Sequence, residues 1–276
     1  MKRSLSVIFL FSCLIISFIY SINIANAVEI EFTHSIFIEH FSNIQSPLCI
    51  EERVEIERIS NELGHRFHLI DFHLQDRWST NDGSKRAAEL NVSLVPSYAC
   101  DGGYELRIGE VLQKDILLKA GSRVVHKIGL SIDKEIKEGE LQFVCTVVER
   151  NGFPFEGEVI VYIVEDRLQS EKNEWNNVFR DYAMRERIEL KPNSFEEFVN
   201  SWDIPKNANV ENIRLIATVF DINEHDNSYF VQSACDEDDK INIPEFSSPY
   251  LIIIIINFIT ILFVKRIIKL NLNYFK

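Results

Sequence analysis

Apolar and polar residues alternate at the start of the exported-looking part of this chain and take helical spacing further on. The run Val28-Glu29-Ile30-Glu31-Phe32 alternates and predicts a strand. Residues 36–42 follow as a second, more buried strand. Over residues 46–63 the apolar positions Val54, Ile56, Ile59 and Leu63 fall on one side of a helix. Glu51, Glu52, Glu55, Glu57, Arg58 and Glu62 form its wet side. Ser46 is a natural N-cap, Pro47 suits the first helical position, and Gly64 suits the stop. A strand is expected over 67–74, a polar loop over 75–83, a short helix over 84–90 and a strand over 96–100. Asp101-Gly102-Gly103 reads as a tight turn into a strand over 104–108.

Beyond residue 110 the pattern changes. A closing helix is expected over 111–120, and then strand follows strand: 126–132, 141–149, 158–165, 187–190, 195–202, 212–221 and 228–234. Asn151-Gly152, Pro192-Asn193 and Asn223 mark turns between them. Seven short strands at this spacing predict an antiparallel β-sandwich of the immunoglobulin-like kind. Residues 168–186 read as a polar excursion, partly helical at most. The predicted organisation is an α/β domain over 28–120 and an all-β sandwich over 121–235.

The two ends carry a different message. Residues 1–27 have the form of a secretory signal: Lys2 and Arg3, an apolar run, then Ala25-Asn26-Ala27. Cys13 lies inside the apolar run, away from any lipoprotein-type site. Residues 236–248 form an acidic linker, and residues 249–270 a transmembrane segment with a basic tail. The apolar core of that segment is short against the ~20 residues a spanning helix needs, unless Lys265 and Arg266 snorkel. Basic residues after the span place the C-terminus in the cytoplasm and the body of the protein outside. The protein is therefore expected at the cell membrane or cell surface, with an extracytoplasmic ectodomain.

Charge sharpens this. Six of the 29 basic residues and none of the 42 acidic ones lie in 1–27 and 249–276, so the stretch between carries a formal charge of −19. That disfavours nucleic acid or anionic lipid as its ligand.

Candidate chemistry centres on cysteine. The mature chain keeps Cys49, Cys100, Cys145 and Cys235, and four cysteines outside the cytoplasm allow three pairings. A Cys145–Cys235 bridge between sandwich strands is one candidate, against free buried thiols. Cys49 stands near a helix N-terminus, where a thiol's pKa is lowered. It is read as a buried inert cysteine, a residual redox thiol, or half of a structural disulfide. His68 and His73 fall on opposite faces of their strand, and His34 and His40 share no single strand, so no metal site is predicted. No cofactor is expected: no phosphate loop, nucleotide fingerprint or serine triad appears. Asn91-Val92-Ser93 is a formal N-glycosylation sequon.

The run Ile36-Phe37-Ile38-Glu39-His40-Phe41-Ser42, followed by Ser46-Pro47-Leu48-Cys49, resembles thioredoxin-like domains of the group related to a small bacterial outer-membrane protein. Those read as an apolar strand, Glu-Glu-Phe-Thr, then Cys-x-x-Cys. Arg86-Ala87-Ala88, Val92, Pro96 and Asp101-Gly102 look like the helix, X-Pro strand and turn of the same group. Parts of the C-terminal β-sandwich often found there resemble residues 179–182 and 213–221. The resemblance implies a thioredoxin-like fold, a cis bond before Pro96, and a peptide groove formed by Ser46, Pro47 and Pro96. This chain departs from the pattern where Ser46 holds the place of the nucleophilic cysteine and His40 that of the second acidic residue. The implied function is a redox-inactive, surface-anchored domain that binds peptide or protein. The alternatives are a thiol–disulfide oxidoreductase or isomerase with Cys49 catalytic, and a structural envelope protein.

A second resemblance lies in Ile243-Pro244-Glu245-Phe246, which with the following apolar span and Lys265-Arg266 is similar to an archaeal PEF-CTERM sorting signal. It implies an archaeosortase as processing partner. The extra tail over 267–276 departs from that pattern, and a plain membrane anchor is the alternative.

Overall fold

The computed structural model of the chain describes residues 32–137, 139–171, 173–205, 208–225, 228–237 and 239; of 223–225, 228 and 229 it describes the backbone alone. The signal over 1–27, most of the strand at 28–32, Pro244, Glu245 and Phe246, and the apolar segment 249–270 lie outside the described residues. No helix among the described residues is long and apolar enough to cross a membrane.

Strand β1 (Ile36–Ser42) is buried along its whole length, as its apolar run predicts. It pairs in parallel with β2 (Phe67–His73), also fully buried, and antiparallel with β3 (Ser97–Cys100). β3 pairs with β4 (Glu105–Ile108) through the turn at Asp101. The helices are α1 (Pro47–Leu63), α2 (Asn81–Glu89) and α3 (Lys114–Gly121). Then come β5 (Ile128–Lys137), β6 (Glu140–Glu149), β7 (Phe155–Glu165), β8 (Leu168–Ser170), β9 (Asn173–Trp175), β10 (Val178–Leu190), β11 (Phe195–Asp203), β12 (Ile213–His225) and β13 (Ser228–Asp236).

These strands overturn the expected fold class. The expectation was an α/β thioredoxin-like domain followed by a separate all-β sandwich. The chain is instead mostly β, with thirteen strands and three α-helices among the described residues. One mixed sheet of eight strands, ordered β13-β12-β7-β10-β2-β1-β3-β4, runs through both halves of the sequence. The joint is small and specific: Val178 of β10 registers with Asp71 of β2, and Asp71 N donates to Asn177 O at 2.8 Å. A shared core then makes the union necessary. Phe37, Phe72 and Ala99 pack in one apolar cluster with Tyr162, Phe179 and Ile216, so neither half buries its aromatic face alone.

A second sheet, β11-β6-β5, covers the far part of the large one across a core built from Leu141, Phe143, Cys145 and Val147 against Val159, Val161, Leu215 and Ala217. A third core, with Ile38, Ile59, Leu69, Tyr98 and Leu117, lies under α1 and α3. The described residues as far as Glu237 fall in one compact unit.

Several local expectations are corrected. Val54, expected on the apolar side of α1, is 74% exposed, whereas Glu52 is buried. The buried side runs through Cys49, Glu52 and Ile59. α2 starts at Asn81, three residues ahead of the expected start, because Thr80 Oγ1 caps it by accepting from Gly83 N at 2.9 Å. Residues 168–186 hold the β8–β9 ribbon and the first half of β10, not helix. Register shifts between Phe179 and Asp181 and between Tyr182 and Met184 break the two-residue alternation there. Of the two readings for Cys145 and Cys235, the candidate bridge is not formed: Cys145 is a free buried thiol in the sandwich core.

Candidate functional site

The start of α1 brings the sequence-predicted residues together. Ser46 caps the helix: its Oγ accepts from Cys49 N at 3.4 Å, and its carbonyl accepts from Ile50 N at 3.1 Å. Pro47 occupies the first helical turn and is exposed, as is Leu48. Cys49 points inward and is fully buried beside Trp175 and Val178. Burial pushes its thiol up, against the smaller opposing pull of Ser46 and the Asn43 backbone. The Val95–Pro96 bond is cis, Val95 packs against the Cys49 cluster, and Pro96 itself is buried.

Beneath Cys49 lies a row of ionisable side chains. β1 supplies His40, β2 supplies Asp71 and His73, α1 supplies Glu52, and the loop after β2 supplies Asp76. His40 Nδ1 is 3.0 Å from Asp71 Oδ1, and its Nε2 is 3.1 Å from Glu52 Oε2. His73 Nδ1 is 2.7 Å from Asp76 Oδ2, and its Nε2 is 3.4 Å from Asp71 Oδ2. None of these five side chains is more than 6% exposed. The Leu112 amide donates to Glu52, and Asp76 accepts from the Ile44 and Trp78 amides. His73 stands edge-on between Trp78 and Trp175, at 5.0 and 4.9 Å between ring centroids. The Arg53 guanidinium covers Trp175 at 4.9 Å from above.

The electrostatics follow from this geometry. Burial is the largest influence on either histidine and disfavours its charge, but the neighbouring carboxylates, Asp71 foremost, together outweigh it. The His40 ring, helped by Glu52, and the His73 ring, helped by Asp76, are held above their ordinary value, His73 at about 9. Burial likewise opposes a charged Asp71, and His40 and His73 together override it, keeping its carboxyl well below the usual range. Asp76 is depressed by His73 in the same way. Two imidazolium rings thus stand among three carboxyl groups in the interior, so the row holds one more acidic side chain than basic ones. The arrangement stores charge and ties β1, β2, α1 and the 75–79 loop together. It presents no accessible nucleophile.

The opposite face of β1 carries a second buried pair. Arg86 Nε and Nη2 donate to the two oxygens of Glu39 at 2.6 and 2.8 Å. At the far end of β1, Asp101 accepts from the Phe37 amide and Arg123, and lies 2.8 Å from His34 Nε2. Cys100 is buried on the third core, its thiol raised by burial and by Asp101. Asn91 is exposed in a left-handed conformation just past α2. No group of three or more His, Cys, Asp or Glu side chains among the described residues is arranged to hold a metal.

Sequence reasoning placed His40 near the motif but missed Glu52, Asp71, His73 and Asp76. A signal was available for two of them. Asp71 interrupts an otherwise apolar strand, and Glu52 lies three residues after Cys49 on the same helical side.

No family model matches the chain, and no curated protein matches it. Its structure is similar to that of a structural-genomics target protein from Agrobacterium tumefaciens. The TM-score there is 0.50 at 11% identity, over 76% of this chain and 97% of that one. It is also matched to a calcium-binding mutant of Bacteroides uniformis beta-glucuronidase 2 (TM-score 0.27, 14% identity, 39% of this chain and 12% of that one). A third match is the sporulation control protein Spo0M of Bacillus subtilis (TM-score 0.22, 11% identity, 39% and 45%). The likeness to the Agrobacterium protein speaks to fold alone, and the other two are too partial to carry an argument.

Proposed function

We propose that this chain is a redox-silent binding protein, exported and held at the outer face of a cell membrane by its C-terminal segment, that takes a peptide or protein partner. One observation carries the redox-silent part: the side chain of Cys49 is fully buried, with its thiol raised, beside a Ser46 that serves as a helix cap. Exchange needs an accessible thiolate and a second sulfur to release the mixed disulfide. Neither requirement is met at this helix start. Export rests on the signal-like residues 1–27, and anchoring on residues 249–270, either as a plain span or as a sorting signal cut near Pro244-Glu245-Phe246. The strongly acidic body argues for a partner that is not a nucleic acid.

The oxidoreductase reading keeps one observation in its favour, the place of Cys49 in the first turn of α1, where the helix N-terminus attracts negative charge. Burial outweighs that attraction here. Insulin-disulfide reduction, followed with the full chain in detergent and dithiothreitol as reductant, separates the two. The expected rate equals the uncatalysed background for both the wild type and Cys49→Ala. A rate above background that Cys49→Ala abolishes would overturn the proposal. Protease accessibility of the ectodomain on intact cells tests the location.

A further inference from the structure

Resting on the binding reading above, we infer that β11 is the docking edge, and that its occupant is an extended, basic segment of another polypeptide added as a fourth strand to the β11-β6-β5 sheet. Among the described residues β11 pairs on one side only, with β6, from Phe195↔Val148 to Asp203↔Glu140. Its other side offers backbone donors and acceptors, the template that strand addition uses, apart from the Ser201 amide, which donates to Asn200 Oδ1 at 2.8 Å.

The strand's two faces are unlike. Phe198 and Trp202 turn inward onto the sandwich core, and Trp202 Nε1 donates to Asp181 Oδ2 of β10 at 2.9 Å. These contacts hold the edge in place before any partner arrives, which lowers the ordering cost of binding. Outward stand Phe195, Glu197, Val199, Ser201 and Asp203 by alternation. Phe195 is 66% exposed and Val199 is 74% exposed, far more than a packed strand leaves bare. Val148 and Val144 of β6 lie opposite them and continue the apolar stripe across the sheet.

Charge selects the occupant. Glu197 separates the two apolar residues, and Asp203 closes the strand. A second copy of this chain would bring the same carboxylates and the same −13 net charge to the edge, which repels it. A strand with apolar residues facing Phe195 and Val199 and lysines facing Glu197 and Asp203 satisfies both. In antiparallel order its outward residues read Lys, Ser, Val, Lys, Val.

The test uses the full chain in detergent and a fluorescein-labelled nonapeptide, Lys-Thr-Ser-Thr-Val-Thr-Lys-Thr-Val, with a control carrying Glu in place of both Lys. Anisotropy measures binding, and hydrogen exchange locates it. The lysine peptide is expected to bind and to protect amides over 195–203, and the glutamate peptide to bind at least about tenfold more weakly. Val199→Lys should weaken binding of the lysine peptide by about tenfold. Glu197→Lys, a surface change that leaves the fold alone, should erase most of the preference between the two peptides, since Asp203 still faces the second charged residue. No binding, protection elsewhere, or an unchanged preference in Glu197→Lys would overturn the inference. Failure here with silent Cys49 removes the β11 assignment alone. Insulin turnover through Cys49 would remove the redox-silent reading while leaving the docking result intact.

Discussion

His40 and Asp71 are register partners across the parallel β1–β2 pair, and their side chains meet at 3.0 Å on the buried face beneath α1. The other nitrogen of the His40 ring lies 3.1 Å from Glu52. An imidazole facing carboxylates on both sides donates from both nitrogens only when it is charged. The strand register therefore sets an imidazolium in the core, and Glu52, buried against expectation, balances it.

The first prediction concerns pH. His40 and His73 have folded pKa values above the ordinary 6.5, so each adds stability that is fully present below 6.5 and lost as pH rises through the folded value, about 9 for His73. Asp71 and Asp76 lie below their ordinary 3.8, so their contribution is present above 3.8 and lost as pH falls through the folded values. The denaturant midpoint should peak on the acidic side of neutrality, between the two ordinary values of 3.8 and 6.5, and decline toward pH 9. A midpoint that climbs from pH 6 to pH 9 would contradict the charged-histidine account.

Asp71→Asn probes the same row from its centre. It leaves two buried histidines without the carboxylate between them, at a cost of about 3–5 kcal/mol at pH 6. Because both histidines then lose their shared carboxylate and keep only Glu52 and Asp76, the alkaline decline should flatten. Urea unfolding of the variant at pH 6 and pH 9 reads both effects, and an Asp71→Asn variant as stable as the wild type would show that the row contributes nothing.

On the other face of β1, Arg86→Met strands Glu39, which is fully buried. The expected loss is about 3–5 kcal/mol, and the double change Glu39→Leu with Arg86→Met should recover most of it. A double-mutant cycle by chemical denaturation decides; a loss in the double variant equal to the sum of the two single losses would mean that the pair is not coupled.

Ser46→Ala removes a helix cap and no chemistry. Stability should fall by about 1 kcal/mol, and Ser46→Gly should cost only a few tenths. Disulfide-exchange activity should be at background in both, measured alongside the thermal midpoint.

Much of the N-terminal half was legible because its signals are local. Ser46, Pro47 and Gly64 bound α1 as expected, and Gly64 takes the positive φ of +56° that favours glycine at a helix end. The apolar run Ile36-Phe37-Ile38 at the start of β1 announced a buried strand. The joining of the two halves was not legible. It rests on one register contact, Val178 with Asp71, between residues far apart in sequence, and on a strand whose two bulges hide its alternation. The site divides in the same way. Ser46 and Cys49 were found by their spacing, and Val95 of the cis bond does reach the Cys49 cluster. The charged row was missed because Glu52 and Asp76 reveal their role only when the helix and the loop close over His40 and His73. The candidate pairing of Cys145 with Cys235 rested on both lying in or beside expected sandwich strands, and the core simply holds Cys145 as a small apolar side chain.

The most direct test of the central claim is the rate at which Cys49 reacts with iodoacetamide in the folded, full-length protein, read site by site by mass spectrometry after digestion. The account predicts that Cys49 stays unmodified while the protein is folded and reacts readily once guanidinium unfolds it. Rapid modification of Cys49 in the folded protein, or its recovery in a mixed disulfide, would contradict the claim that this helix start is redox-silent.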